Sequence, residues 1–462
     1  MKIDRRMFVQ GLGATGVLAS SGISGALAAG ARMPNIIFIM ADDMGYADVG
    51  VYGARHIKTP NIDTLARDGV MLTQGYANSA ICSATRTALA TGCYQQRFAV
   101  GLEEPMGPAA PADVGIPADR PTIASVMRDR GYRTALVGKW HLGDPPHHGP
   151  MQHGYDSYFG LIQGAADYFR HIVDLSGKAA VDGLYRDDKK VQEPGYLTDL
   201  FGDEAVRLIE QPSDKPLFLS LHFNAPHWPW EGPEDEAKSK ALTDIFDRSG
   251  GSLETYAKMV GSMDANIGKV LAALKATGMA ENTIVVFTSD NGGERFSDTW
   301  PFVGVKGELL EGGLRVPLLV RWPARIKAGS VSDQVMTSMD FLPTLLSAAG
   351  GDPMKAGRFD GENLLPVLAG ATPAHPRTLY WRFKASEQAA VRQGDWKYLK
   401  LGGKEHLFNV VADRRERAEL SGVYPEKFAE LKKLYAAWNA QMLPYTEKNF
   451  SEEVKKTYPD RY

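Results

Sequence analysis

From Pro34 onward, apolar runs of strand length alternate with segments of helical period, the pattern of parallel βαβ units. Asn35 to Met40 and Thr283 to Thr288 read as strands buried on both faces, and both stop at acids. Leu217 to Phe223 and Ala135 to Val137 are further core strands, while 121–130, 197–210 and 254–276 carry the helical period. Segments 143–195 and 225–250 are rich in Gly, Pro, His or charge and read as long surface loops over the strand ends. A rigid sheet builds its sites on such loops.

The texture changes after about residue 370. The Pro-bearing stretch Thr372 to Pro376 leads into short alternating strands at 379–383, 390–392 and 396–399, then a helix at about 425–440. The pattern predicts a small antiparallel sheet with one helix. The expected division is therefore residues 31–370 as a catalytic α/β domain and 371–462 as an α+β subdomain, preceded by an address segment at 1–30.

That first segment starts basic, has a weakly apolar middle interrupted by Gly and Ser, and ends in small residues. It is a poor membrane span. Arg5 and Arg6 followed by Met7 and Phe8 look like a twin-arginine export signal, with Ala26 to Ala28 as a cleavage site. An ordinary secretory signal or an uncleaved anchor would also carry the chain out of the cytoplasm, so the expected location is periplasmic or secreted.

The chain has 462 residues, 44% of them hydrophobic and 23% charged, enough for a large core. With 52 Lys and Arg against 55 Asp and Glu, the net charge of -3 gives no basis for a nucleic-acid partner. Cys82 and Cys93 are the only cysteines, too few for a disulfide scaffold or a four-thiolate metal site.

Candidate chemistry sits where strands end. Asp42 and Asp43 follow the first strand, and Asp290 and Asn291 follow the strand at 283–288. In an open parallel sheet ligands bind beyond the carboxyl ends of strands, so four oxygen ligands for a hard cation converge if the two strands are neighbours. Acids and Asn after strands also serve as turn and cap residues. A helix starting near Cys82 would place Arg86 one turn on, over the same face, with the helix N-terminus adding partial positive charge. That geometry suits a nucleophile attacking an anion; a lone cysteine before a helix is also commonly a small buried residue.

Taken in order, these motifs resemble the type I, formylglycine-dependent sulfatases of the alkaline phosphatase superfamily. Cys82-Ser83-Ala84-Thr85-Arg86 is similar to that family's first signature, with Ala84 where Pro is usual. Gly138-Lys139-Trp140-His141-Leu142-Gly143 resembles its second signature. Asn35 to Asp43 with Gly45 and Tyr46, Thr59 to Asp63, Asn224-Ala225-Pro226-His227, Thr288 to Gly292, Gly304 to Gly307 and Glu311 to Pro317 complete the series. Around Gly160 to Gly164, where related enzymes often carry another polar sulfate contact, none aligns. The fold implied is α/β: a large mixed, mostly parallel sheet sandwiched by helices, with a small C-terminal antiparallel sheet plus helix subdomain.

The resemblance implies that Cys82 is oxidised to formylglycine by a maturase, before folded export through the twin-arginine machinery. One oxygen of the hydrated aldehyde attacks sulfur and expels the alcohol; loss of the second hydroxyl's proton then releases sulfate. It also implies a divalent ion, Ca2+ with Mg2+ as the alternative, on Asp42, Asp43, Asp290, Asn291 and the modified Cys82. Arg86, Lys139 and Lys306 would share the sulfate charge, His141 would be the base that triggers elimination, and His227 the acid that protonates the leaving oxygen.

Around these, His153, Arg170, His171, Trp228, Arg295 and Trp300 are expected on the substrate side, with His147, His148 and Trp230 beside them. Aromatic faces suit sugar rings and basic groups suit further anions; packing accounts for each equally well. Cys93 reads as a small buried hydrophobe. The reading reached is a sulfatase acting on a sulfated small molecule or carbohydrate. A phosphonate monoester or phosphodiester hydrolase of the same superfamily, and a non-catalytic binder of sulfated glycans, are the alternatives.

Overall fold

Alternation at period two divides the first strand between two cores. In the computed structural model, which describes residues 32–107, 110, 111, 113–174, 181–446 and 451, β1 (Asn35–Ala41) sends Ile37 and Ile39 to one side. Ile36, Phe38 and Met40 go to the other. The expected export segment lies outside the described residues. One face is covered by α1 (Pro60–Arg67), α4 (Leu197–Glu210) and α5 (Leu253–Ala276), whose Leu65, Phe201, Met263 and Ile267 meet the first set. The opposite face is covered by α2 (Cys82–Thr91), α3 (Ile123–Asp129) and α6 (Phe341–Ala348) through Leu89, Met127 and Phe341. Helices on both faces explain why the central strands read as continuous apolar runs.

The sheet has ten strands. Its parallel centre is β8 (Thr283–Ser289), β1, β7 (Leu217–His222), β3 (Arg133–Gly138) and β4 (Ser157–Leu161), in that spatial order. Antiparallel strands extend it at both edges: β9 (Leu318–Arg321) pairs with β8 and β2 (Val70–Leu72) with β9, while β5 (Leu184–Arg186) pairs with β4 and β6 (Lys189–Lys190) with β5. β10 (Ser330–Ser332) closes one edge, parallel to β2. The sheet is thus mixed and mostly parallel at its centre, as expected. The reading of 143–195 as loop is corrected, because β4 to β6 lie inside it. The run Ser157 to Leu161 is short and flanked by turn-forming residues, which hid its buried Tyr158, Phe159 and Leu161. Segment 225–250 is irregular except for a short helix at Glu236–Ala241.

After residue 376 a separate antiparallel meander follows: β11 (Thr378–Phe383), β12 (Gln388–Gln393), β13 (Trp396–Leu401) and β14 (Lys404–Asn409). β14 was not anticipated. One face packs Val391, Tyr398 and Leu407 under α7 (Pro425–Asn439) through Leu431 and Phe428. The other packs Leu379, Trp381, Phe383 and Leu399 against Tyr76, Ile81, Cys82, Ala84 and Ala88. The small sheet therefore forms part of the bed on which α2 lies.

A buried ion network stitches the same contact. Glu311, fully buried, accepts from Arg315 Nε at 2.7 Å, Lys397 Nζ at 2.9 Å and the Tyr76 hydroxyl at 2.5 Å. Lys397 also pairs with Glu416 at 2.8 Å. Burial opposes ionisation of Glu311, but Lys397 and Arg315 hold its carboxyl below the usual range. Removing one partner of such a pair leaves charge unpaired in the interior. Lys397→Ala is expected to lower the unfolding free energy by about 3 kcal/mol or more, read from the shift in a urea denaturation curve.

Candidate active site

β1 and β8 are adjacent and in register, with Ala41 opposite Ser289, so the residues that follow them meet. The Asp43 amide donates to Asp290 Oδ1 at 3.2 Å, and Asn291 Nδ2 donates to Asp43 Oδ1 at 2.8 Å. Asp43 takes a left-handed backbone conformation, φ 64°, which swings consecutive carboxylates to one place. Asp42, Asp43 and His227, and likewise Asp42, Cys82 and Asp290, each offer donor atoms within 4.8 Å of one another.

Each carboxylate is met by a cation from a different element. Lys139, just past β3, donates to Asp42 Oδ2 at 2.5 Å, and Lys306 donates to Asp43 Oδ2 at 2.6 Å. Arg86, one turn into α2, donates from Nε and Nη2 to Asp290 Oδ2 at 3.0 and 2.8 Å, and from Nη1 to the Lys139 carbonyl at 2.9 Å. Burial and the neighbouring Asp290 raise the Asp42 carboxyl well above its ordinary range. Burial pushes Asp43 the same way, but Lys306 and Lys139 outweigh it and hold that group low.

Two buried oxygens, Asp42 Oδ1 and Asn291 Oδ1, have no hydrogen-bond donor among the described residues. An unmatched acceptor is costly inside a protein. A hard divalent cation, which takes six or more oxygens, fits these two atoms and the carboxylates beside them.

Cys82 opens α2 beside this cluster. Burial, the largest influence, pushes its thiol up to about 11 against the pull of Lys139 and Lys306, so the unmodified side chain stays protonated at neutral pH. His141 Nδ1 lies 3.5 Å from Cys82 Sγ, and His141 Nε2 lies 2.8 Å from the Met106 carbonyl. A carbonyl only accepts, so Nε2 carries the ring proton and Nδ1 turns a lone pair toward residue 82. In His227, Nδ1 donates to the Trp228 carbonyl at 2.6 Å, leaving Nε2 3.5 Å from Asp43 Oδ2. Burial depresses both imidazoles well below the ordinary value, helped by Lys139 at His141 and by Lys306 at His227. Gly164 lies so close that a Cβ there would stand 2.6 Å from His141 Cε1, giving that glycine a steric role and not a sulfate contact.

A cleft of about 570 Å3, open to solvent, descends onto Cys82, His141, His227 and Lys306. Of the expected substrate-side residues, Trp228 lines it. The others are corrected. His153 is stacked on Trp140 at 5.7 Å and beside His148, and burial lowers it to about 4. Arg170 turns to Asp167 and the Leu242 carbonyl, and His171 to the Gly195 carbonyl. Arg295 Nη1 is spent on the Arg248 and Gly250 carbonyls, while Trp230 packs on Phe296. Trp300 is exposed under Arg415, away from the cleft walls. His147 is exposed, and His148 is tied to the Ile116 carbonyl. Sequence reasoning missed Met106, Gln163, Phe246, Arg248 and Glu294, which do line the cleft. Glu294 had a signal, three residues past Asn291; Arg248 had none beyond its place in a charged loop.

Lys306 at the bottom of a solvent-open cleft, with Lys139 and Arg86 buried behind it beside a cluster that could hold a hard cation, fits a metal-assisted hydrolase of anionic esters. Comparison with known proteins narrows that class. The Sulfatase family model matches residues 34–351 and the model of the N-sulphoglucosamine sulphohydrolase C-terminal region matches 306–446, and the chain belongs to the sulfatase family. It is a sulfuric ester hydrolase. Arylsulfatase J of Mus musculus is 30% identical, over 90% of this chain and 77% of its own. N-acetylgalactosamine-6-sulfatase of Canis lupus familiaris is 32% identical, over 79% and 71%. Among solved structures, Ps i-CgsB superposes with a TM-score of 0.81 at 31% identity, covering 89% of this chain and 94% of its own, and has also been solved in complex with k-i-k-neocarrahexaose.

Calcium or magnesium at about 100 times its dissociation constant is expected to raise the unfolding free energy by about 2.7 kcal/mol. Chelator should reverse the gain and Asp42→Ala should abolish it. A denaturation midpoint unmoved by either ion would remove the metal from this cluster.

Proposed function

We propose that this protein hydrolyses sulfate esters of carbohydrates through a formylglycine made from Cys82, with Ca2+, or alternatively Mg2+, held by Asp42, Asp43, Asp290, Asn291 and the modified residue 82. The observation that carries the reading is the position of Cys82, with the His141 lone pair 3.5 Å away and Lys139 and Lys306 acting on its thiol. A protonated thiol near 11 is a poor nucleophile, and a sulfur-linked sulfate has no easy exit. Formylglycine supplies an oxygen nucleophile that takes up sulfate and then releases it by elimination. The divalent ion supplies Lewis acidity toward sulfate and nucleophile oxygens.

The chain's own residues do the rest. Lys139 and Lys306 stand ready to share charge with the entering sulfate, and Arg86, clamped by Asp290, fixes the helix end that presents residue 82. His141 Nδ1 receives the proton whose loss releases sulfate. His227 Nε2, with Nδ1 fixed on the Trp228 carbonyl, carries the proton for the departing alcohol; the substrate's negative charge opposes the depression that Lys306 and Lys139 impose on it.

The carbohydrate assignment draws support from the sugar-directed names among the relatives and from the carrageenan oligosaccharide bound by Ps i-CgsB. Arg5 and Arg6 support twin-arginine export of the folded, maturase-modified protein to the periplasm or beyond. Residues 31–370 act as the catalytic domain and 371–462 as the subdomain that beds α2.

The test is the mass of the Cys82 peptide from protein made with and without a formylglycine-generating enzyme, followed by turnover of aryl and sugar sulfates. Modification with sulfate release is expected. Cys82→Ala should lose turnover yet keep the ion, His141→Ala should fall by about 10²- to 10⁴-fold, and Asp290→Ala should lose ion and activity together. Full activity in Cys82→Ala would overturn the mechanism. Faster turnover of a matched aryl phosphodiester would move the activity to the phosphonate and phosphodiester class.

A further inference from the structure

One wall of the cleft carries donors, on Arg248 and Trp228, that form no hydrogen bond among the described residues. The Arg248 guanidinium forms no hydrogen bond among the described residues; its nearest carboxylate, Glu294 Oε1, stands at 3.7 Å, beyond hydrogen-bond reach. Next to it the Trp228 indole Nε1 is buried, with the residue only 4% exposed, and has no acceptor. The guanidinium lies over the Trp228 ring, 4.6 Å from its centroid, which leaves the N–H fork free at its edge. A five-donor fork and an indole N–H side by side call for a group with several acceptor oxygens.

The loop that delivers Arg248 is fixed in advance. Arg295 Nη1 donates to the Arg248 carbonyl at 2.7 Å and the Gly250 carbonyl at 3.0 Å, and its own guanidinium lies 4.4 Å from the Phe296 ring centroid. Trp228 is braced by Phe246 at 5.5 Å. The donors therefore stand at a set place with little ordering left to pay for on binding.

Glu294 also sets the spacing. Its carboxylate lies 3.7 Å from Arg248 and 3.8 Å from Lys306, so one carboxylate separates the outer cation from the inner set. We propose that Arg248, with the Trp228 N–H, binds a second anionic group of the substrate, a sulfate or carboxylate on the same sugar as the reacting ester or on the adjoining one. The inference rests on the sulfatase reading above and makes Arg248 a specificity-determining residue, outside the groups that act on the ester.

The experiment compares formylglycine-bearing wild type with Arg248→Ala and Arg248→Lys. Substrates are 4-nitrophenyl sulfate, which has one anionic group, and pairs of sulfated disaccharides with and without a second sulfate or uronate. Wild type should favour the doubly charged member of its best pair. Arg248→Ala should raise KM for that member by about 30-fold or more, leave kcat within about threefold and erase the preference. Arg248→Lys should recover part of the loss, since it keeps charge without the fork. On 4-nitrophenyl sulfate both variants should stay within about threefold of wild type, far less than the loss on the doubly charged member, which also reports an intact reaction site. A wild type indifferent to the second charge, an unchanged KM in Arg248→Ala, or an equal loss on 4-nitrophenyl sulfate would each overturn the inference. Wild type that turns over no sulfate ester at all overturns the formylglycine reading instead, and this inference with it.

Discussion

The structure depends on pairing three carboxylates at the ends of two neighbouring strands with three cations brought from elsewhere. Asp42, Asp43 and Asp290 are all buried, and unpaired they would oppose folding by several kcal/mol each. Lys139, Lys306 and Arg86 meet them from a strand end, a loop and a helix. Folding the sheet therefore assembles the site. On the proposed reading, each carboxylate would have a second claimant in the divalent ion that Asp42 Oδ1 and Asn291 Oδ1 call for, which would loosen the hold on Lys306, the cation of the three that lines the cleft.

The same logic is repeated with a different purpose beneath α2. Glu311, Arg315, Lys397 and Glu416 share buried charge between the segment after Lys306 and the small C-terminal sheet. None of these four residues lines the cleft above Cys82. The network ties the C-terminal sheet to Tyr76 and packs it against the start of α2, where Cys82 Sγ stands 3.5 Å from His141 Nδ1. The described residues of the small sheet and α7 add none to the cleft lining, yet they bear on the position of the helix terminus at Cys82.

What could be read from the sequence follows from how locally each feature is encoded. Strands such as 35–40 and 283–288 were legible because both faces are buried, which leaves an unbroken apolar run ending at an acid. The cluster of Asp42, Asp43, Asp290 and Asn291 was legible for the same reason, since adjacency in a parallel sheet turns two short motifs into one place. β4 was hidden because five residues among Gly and Pro carry too little pattern, and the edge strands because each is two to four residues long. The substrate wall was misread for a physical reason. Long loops fold back on themselves, so His153, Arg170, His171 and Arg295 found partners within the protein before any could face the cleft.

That contrast explains why Arg248 and Arg295, both in the chain's basic inventory, end in opposite roles. Arg295 directs one nitrogen at carbonyls of the 248–250 turn and so becomes part of the scaffold. The turn it closes holds Arg248 with its fork unspent over an indole. One arginine gives up its donors so that the other can keep its own, and only the three-dimensional accounting of donors tells them apart. At the strand ends the charges of Asp42, Asp43 and Asp290 each answer another. On the proposed reading the loop wall would supply selection, because the Arg248 fork and Trp228 Nε1 form no hydrogen bond among the described residues.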